Sequence, residues 1–301
     1  MSETDLLNTD NPRKEVFFCS RASAENHEAL AGTASNYHAF ILIEYAAPFP
    51  KKIGETSIDR NWLKDIEAFA KTRNAKIILI RNKSTVRDRF KIIFVDALRK
   101  RYRIHTATGD SYRFFNFKLF AEEEDDDWKN DPFFIVCTNG KKDKCCAKFG
   151  LPVFQQLEKM NAIPVFESSH FGGDRFAGNA VLLPRGIYYG RVQPSQVEGL
   201  MESTKAGKIA MENYRGLAVY NFAKQSAEIF LRNYLGVFDL DFPLKFNSSS
   251  ATDSSQIFEI EHCGRRYVVG MEKIKYMALA LLTCTSSKAE PLTKYKLLEI
   301  K

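Results

Sequence analysis

The sequence predicts an α/β protein of two units followed by a small β extension. Three observations carry this expectation. Apolar, β-branched runs of strand length alternate with segments of helical spacing in both halves. An acidic stretch, EEEDDDWKNDP, ends in a proline and divides the halves near residue 125. Beyond residue 246 only strand-like runs around polar turns remain. The expected units are residues 1–125, 126–245 and 246–301. With 301 residues and 45% hydrophobic content, the chain has enough apolar mass for two cores.

In the first unit HAFILIEYA (residues 38–46) reads as a strand with a buried centre. NWLKDIEAFAKT places Trp62, Leu63, Ile66 and Phe69 on one helical face. AKIILIR and FKIIFVDA are β-branched runs bounded by charge, hence strands. The second unit opens with FFIVCTN, a strand ending at Cys137. A helix is expected from Pro152, with Val153, Phe154, Leu157 and Met160 on its apolar face. IPVFES, NAVLLP and GIYYGRV follow as strands, the last two joined as a hairpin through PRG. PSQVEGLMESTKAG is a helix, giving the order β-α-β-β-β-α.

A long helix over residues 217–235 is predicted from the stripe Leu217, Tyr220, Ala227, Leu231 and Tyr234, closed by Gly236. NSSSATDSS reads as a polar loop, and QIFEIEHCGRRYVVGME as a hairpin turning at Cys263 and Gly264. No strong internal repeat stands out; a divergent copy of the same α/β layout in the first half is left open.

The formal net charge of +7 suits an acidic partner or an anionic surface. It is unevenly spread: residues 81–103 are dense in Arg and Lys, and residues 122–127 are all acidic. Both runs read as solvated surface. No nucleic-acid-binding motif accompanies the positive charge. The first residues lack the apolar core of a signal peptide, and MALALLTC (residues 277–284) is too short to span a bilayer. The expectation is a soluble, cytoplasmic protein without membrane contact.

Three of the six cysteines stand in CTNGKKDKCC, residues 137–146. In a reducing compartment such clustering points to metal or thiol chemistry rather than a disulfide framework. Cys137 and Cys146 form a C-x8-C spacing, and the loop SSHFGGD after the next strand carries His170 and Asp174. Both loops can meet at the carboxyl ends of neighbouring strands. Thiolate with imidazole suits zinc, copper or an iron–sulfur cluster. The spacing differs from the C-x2-C of zinc ribbons. Lys141, Lys142 and Lys144 would favour a thiolate, so a reactive thiol is an alternative; purely structural cysteines are another.

CTNGKKDKCCAKFGLP, ESSHFGGDRFAGNAVLLP and GIYYGRV together resemble the sucrase/ferredoxin-like family of thioredoxin-fold [2Fe-2S] proteins. CSRASAENHEALAGTA near the start and LLTCTSSKAEPLTKYKLLEI at the end extend the resemblance over most of the chain. It implies a thioredoxin-like ferredoxin domain, preceded by an α/β domain that is open to being a divergent copy. It further implies an electron-transfer protein carrying a [2Fe-2S] cluster, with Cys137 and Cys146 as thiolate ligands and His170 as the first imidazole ligand. The family pattern continues H-x3-H, whereas this sequence has Asp174 at the last position. The fourth ligand is then Asp174, or else Cys145, Cys263 or Cys284.

Imidazole in place of thiolate raises a cluster's potential, and a carboxylate reverses part of that change. Lys148, Arg175, Arg185 and Arg191, with the loop lysines, would form a positive rim that steers an acidic redox protein. Two alternatives differ in class. One is a cluster-free thiol redox or sensor protein using Cys137, Cys145 and Cys146. The other is a sucrose hydrolase, implied only by the family's name, for which no glycosidase-type carboxylate pair is evident. An electron carrier is preferred to an enzyme.

Overall fold

The computed structural model describes residues 17–277, 281–288 and 290–301. The segment expected to lack a signal peptide's core lies almost wholly outside the described residues, as does the middle of MALALLTC. Among the described residues no helix is long and apolar enough to cross a membrane.

The first half contains helix α1 (Cys19–Glu25), strand β1 (Ala39–Glu44), helix α2 (Arg60–Thr72), strands β2 (Ala75–Arg81), β3 (Arg89–Asp96) and β4 (Arg101–Thr108), and the short helix α3 (Phe117–Glu122). The second half contains β5 (Phe133–Cys137), α4 (Leu151–Met160), β6 (Val165–Ser168), β7 (Ala180–Leu183), β8 (Ile187–Tyr189), α5 (Val197–Lys205), β9 (Tyr214–Leu217) and α6 (Phe222–Leu235). The sequence dictates most of this. Asp59 caps α2 by accepting from the backbone N–H groups of Asn61 and Trp62, and Trp62, Leu63, Ile66 and Phe69 form its buried face. All six residues of β1 and all five of β5 are buried, as expected for central strands covered on both faces.

In each half the second strand lies parallel beside the first, the third lies antiparallel on its other side, and the fourth flanks the third. The orders β2-β1-β3-β4 and β6-β5-β7-β8 are therefore the same thioredoxin-like arrangement, used twice. The first half is a topological copy of the second.

The two copies join edge to edge into one nine-stranded sheet, β4-β3-β1-β2-β6-β5-β7-β8-β9. The joint is antiparallel and short, pairing Ile80 with Ser168 and Arg81 with Glu167. A two-pronged Arg81–Glu167 ion pair, with both N–O distances 3.3 Å, reinforces it. One apolar core runs across the joint, uniting Phe40, Leu42 and Ile80 with Phe133, Ile135 and Val181.

A second sheet is formed by β10 (Lys245–Ala251), β11 (Ser255–His262), β12 (Arg265–Met277) and β13 (Pro291–Ile300), all antiparallel in that order. The hairpin turns at Cys263 and Gly264, both at positive φ (50° and 75°), as a two-residue turn requires. NSSSATDSS, expected as a loop, lies mostly in β10. This exposed edge strand buries no alternate residue that could announce it.

Two further expectations need correction. The basic and acidic runs are paired rather than merely solvated. Arg99 and Arg101 bond Glu124, and the buried Arg103 bonds Asp125 and the carbonyls of Phe120 and Glu123. This run also hides β4, whose alternation is obscured by its charge. The long helix begins at Phe222 rather than Leu217, which ends β9, and Tyr234 faces solvent. Its predicted C-cap stands: Gly236 has φ 67°.

α6 lies between the two sheets. Ala223, Ala227 and Leu231 pack against Phe258, Ile260, Val269 and Met271. Within α6, Glu228 and Arg232 form a fully buried ion pair. The Tyr214 hydroxyl donates to Glu228 at 3.0 Å, and Arg232 donates to the Asp239 carbonyl at 2.8 Å. Removing one charge leaves the other buried without a counter-ion. Glu228→Gln is therefore expected to cost about 3 kcal/mol in urea or thermal unfolding; a loss under about 1 kcal/mol would count against this placement.

Asp241 accepts from Lys100 at 2.6 Å and from Arg185 at 3.0 Å, tying turns of both halves together. The Arg185 hydrogen bond, followed by that of Lys100, pulls its carboxyl down to about 2 despite some burial. A depressed carboxyl contributes stability above its unfolded value and loses it as pH falls through the folded value. Asp241 is half exposed, so the contribution is discounted to about 1 kcal/mol or less. The stability gap between wild type and Asp241→Asn should be constant at neutral pH and close between roughly pH 4 and 2.

Candidate metal centre

The carboxyl ends of β5 and β6 present the cluster of residues singled out in the sequence. Cys137 is the last residue of β5. The chain then turns through residues 138–145, makes one π-helical turn over Cys146–Gly150, and enters α4. Gly150 makes this path sterically feasible, since a Cβ there would lie 2.0 Å from the Cys137 carbonyl oxygen. The turn thus packs directly against the strand end and brings Cys146 back beside Cys137.

His170 and Asp174 arrive from the loop after β6. The ligating atoms of Cys137, Cys146 and His170 all lie within 4.8 Å of one another. His170 Nδ1 is 3.9 Å from each of the two sulfurs. Asp174 Oδ1 is 3.0 Å from that same nitrogen and accepts from Cys146 Sγ at 3.3 Å. The four predicted residues therefore converge.

Gly172 and Gly173, at φ 108° and 82°, let the loop fold back. A side chain at Gly173 would strike the Arg215 guanidinium, which is fully buried beneath the loop. Arg215 donates to Asn179 Oδ1 at 2.8 Å and to the Thr33 carbonyl and hydroxyl. Burial pulls it down to about 9, because its hydrogen-bond partners are neutral. Nothing in the sequence pattern marks Arg215 or Asn179 as supports of this loop.

The Cys146 hydrogen bond, opposed by burial and helped by His170, pulls the Cys137 thiol down to about 6. Cys146 is pushed well up by Cys137 and by burial. Burial alone would lower His170, but the Asp174 carboxylate and Cys137 outweigh it and hold the imidazole up to about 9. These surroundings favour the thiolate form of Cys137 and the protonated form of His170, with Asp174 Oδ1 on the same ring nitrogen.

The other candidate fourth ligands lie elsewhere. Cys263 is exposed in the β11–β12 turn. Cys145 and Cys284 gather with Cys19 and Asp143 in a separate group. The expected arginine rim is largely engaged: Arg175 pairs with Glu28, Arg185 with Asp241, and Arg191 bonds Ser23. Positive charge also faces a cavity of about 190 Å³ that His170 shares with Lys51, Lys52, Lys76 and Lys142. Lys51 and Lys52 belong to the first half, held there by the Asn139 side chain donating to the Pro50 carbonyl at 2.8 Å.

The sucrase/ferredoxin-like family model matches residues 30–216. Altered inheritance of mitochondria protein 32 from Meyerozyma guilliermondii is 34% identical over 98 residues, covering 29% of this chain and 34% of that protein. The protein of the same name from Candida glabrata is 28% identical over 103 residues, covering 29% of this chain and 33% of its own. The chain thus matches about a third of the length of these relatives. The wild-type thioredoxin-like [2Fe-2S] ferredoxin from Aquifex aeolicus is 18% identical with a TM-score of 0.25, covering 28% of this chain and 95% of that one.

The Gly150 contact yields a test of the site's construction. Gly150→Ala must part the π-helical turn from the end of β5. We expect a loss of about 1–3 kcal/mol in thermal unfolding and faster modification of Cys137 by a thiol reagent. Unchanged stability together with unchanged thiol reactivity would show that the contact does not hold the site.

Proposed function

The chain belongs to the sucrase/ferredoxin-like family, and on that premise we propose that it is an electron carrier whose [2Fe-2S] centre is held by Cys137, Cys146, His170 and Asp174. The observation that supports this most directly is the convergence of two thiols and one imidazole within 4.8 Å, at the ends of two adjacent strands. The donor set fits the group: soft thiolates with imidazole suit iron–sulfur ligation, and the donors face one another. Bound there, the centre supplies one-electron redox chemistry.

The chain's own residues fix the rest. Asp174 supports the fourth position because it is buried and its oxygen meets both Cys146 and His170. Its neighbour Arg175 is bonded to Glu28 instead. Cys137 and Cys146 are each 1% exposed, which keeps water from the sulfurs, whereas the His170 side chain is 18% exposed and reaches the lysine-lined cavity. That makes His170 the side from which an electron enters or leaves. Lys51, Lys52, Lys76 and Lys142 favour a partner with an acidic face.

A second reading rests on the Cys137 thiolate beside Cys146, a dithiol active without iron. Cys145, which that reading also used, belongs to the separate group. Sucrose hydrolysis has little support, because Asp174 is the lone carboxylate among the four converging groups and glycoside hydrolysis uses a pair.

Iron, acid-labile sulfide and visible absorption of anaerobically purified protein test the proposal. Wild type should carry two irons and two sulfides per chain. Cys137→Ser and Cys146→Ser should lose both, and Asp174→Ala should leave a labile or absent centre. Colourless wild type with two reactive thiols would favour the dithiol reading, and full iron content in the two serine variants would overturn the ligand assignment.

A further inference from the structure

Three cysteines from distant parts of the chain meet on the other side of the Cys145–Cys146 step. Cys19 lies in α1, Cys145 precedes the π-helical turn, and Cys284 lies between β12 and β13. Their sulfurs are 3.6 Å (Cys19–Cys145), 3.2 Å (Cys145–Cys284) and 3.6 Å (Cys19–Cys284) apart. Asp143 brings a carboxylate to the same point, its Oδ2 4.0 Å from Cys19 Sγ, and the ligating atoms of all four lie within 4.8 Å of one another. Cys19, Asp143 and Cys145 are buried, and Cys284 is half-buried.

We propose that Cys19, Cys145 and Cys284, with Asp143 as fourth donor, form a structural zinc site distinct from the Cys137–Cys146–His170–Asp174 centre. The geometry argues for a common central atom rather than a bond. A disulfide brings two sulfurs to about 2.05 Å and leaves a third outside, whereas these three are nearly equidistant. Zinc with bonds of about 2.3 Å to sulfur sets tetrahedral sulfurs about 3.8 Å apart, within a few tenths of an ångström of two of the three separations.

Backbone amides already point at the sulfurs: Ser20 N–H toward Cys145 and Cys19 N–H toward Cys284, each at 3.5 Å. Such donors stabilise metal-bound thiolate. Asp143 is held in place for this role by two backbone amides. Its Oδ1 accepts from the Cys145 amide at 2.8 Å and its Oδ2 from the Cys284 amide at 2.6 Å. Soft thiolates with one carboxylate oxygen, three of the four donors buried, match a structural zinc site rather than an open catalytic one. Binding displaces the thiol protons to solvent and involves no change of oxidation state.

The test uses the full chain carrying Cys137→Ser and Cys146→Ser, so that metal at the other centre cannot be mistaken for this one. Purified without chelator, it should hold one zinc per chain by elemental analysis. After replacement by Co²⁺ it should show thiolate-to-cobalt charge transfer and the intense visible bands of a tetrahedral site. Adding Cys19→Ser and Cys284→Ser should abolish both signals. Should that variant fold poorly, chelation of the parent settles the matter: zinc should leave and the melting temperature should fall by several degrees.

Zinc below about a tenth of an equivalent with no tetrahedral cobalt spectrum would overturn the proposal. So would a Cys145–Cys284 disulfide found by mass mapping, or iron at these cysteines. Absence of zinc or a disulfide here leaves the electron-carrier reading untouched, since that is judged by iron lost with Cys137→Ser and Cys146→Ser, whereas iron at these cysteines would count against its ligand assignment as well.

Discussion

The organisation of this protein depends on a divergence of directions between two neighbouring side chains. Successive residues on a helical turn point about 100° apart. Cys145 and Cys146 stand at the entrance to such a turn, so one faces the sulfurs of Cys19 and Cys284 and the other faces Cys137, His170 and Asp174. The segment 143–150 fixes that divergence at both ends. The Asp143 side chain accepts the Cys145 amide and its carbonyl accepts the Cys146 amide, while Gly150 seats the turn on the Cys137 carbonyl. A slip of one residue here would leave one of the two places to Ala147 or Lys144 and dismantle both groups.

Around this turn the structure spends stability on buried charge. Arg215, Glu228 and Arg232 are fully buried, and each makes hydrogen bonds to other groups of the chain. Such groups are costly to desolvate and add little net stability when paired. Their effect is geometric: Arg215 backs the glycine loop that delivers His170 and Asp174, and the α6 pair holds the helix between the two sheets. Neither arrangement adds apolar area, and both restrict which backbone paths the neighbouring loops can take.

Much of this was legible in the sequence. β1, β2, β3, β5 and the helix faces of α2 and α4 follow from apolar runs and periodicity, because their positions are set by burial. Cys137, Cys146 and His170 followed from a spacing that the sheet order brings to the ends of two neighbouring strands, and Asp174 from the family resemblance. What escaped had no periodic signal. β4 and β10 carry too much polar surface to alternate visibly, and the ion pairs between residues 99–103 and 123–127 are tertiary choices among many available charges. Cys19 and Cys284 are 265 positions apart, a distance over which spacing rules have no purchase. Arg215 reads in sequence as one more basic residue before a glycine.

The short antiparallel joint between the two copies also has a mechanical meaning. Across most of the sheet each strand is laced to its neighbours over several residues, but β2 and β6 share only two ladder positions. The sheet has its fewest ladder positions at this waist. The last hydrogen bonds of the waist belong to Ser169, whose backbone and side chain bond Leu79 at 2.8 and 2.9 Å, and the next residue is His170. A displacement of one copy against the other would therefore reach that imidazole through a single peptide bond, and would also alter the gap where Lys51 and Lys52 of one copy face Lys142 of the other.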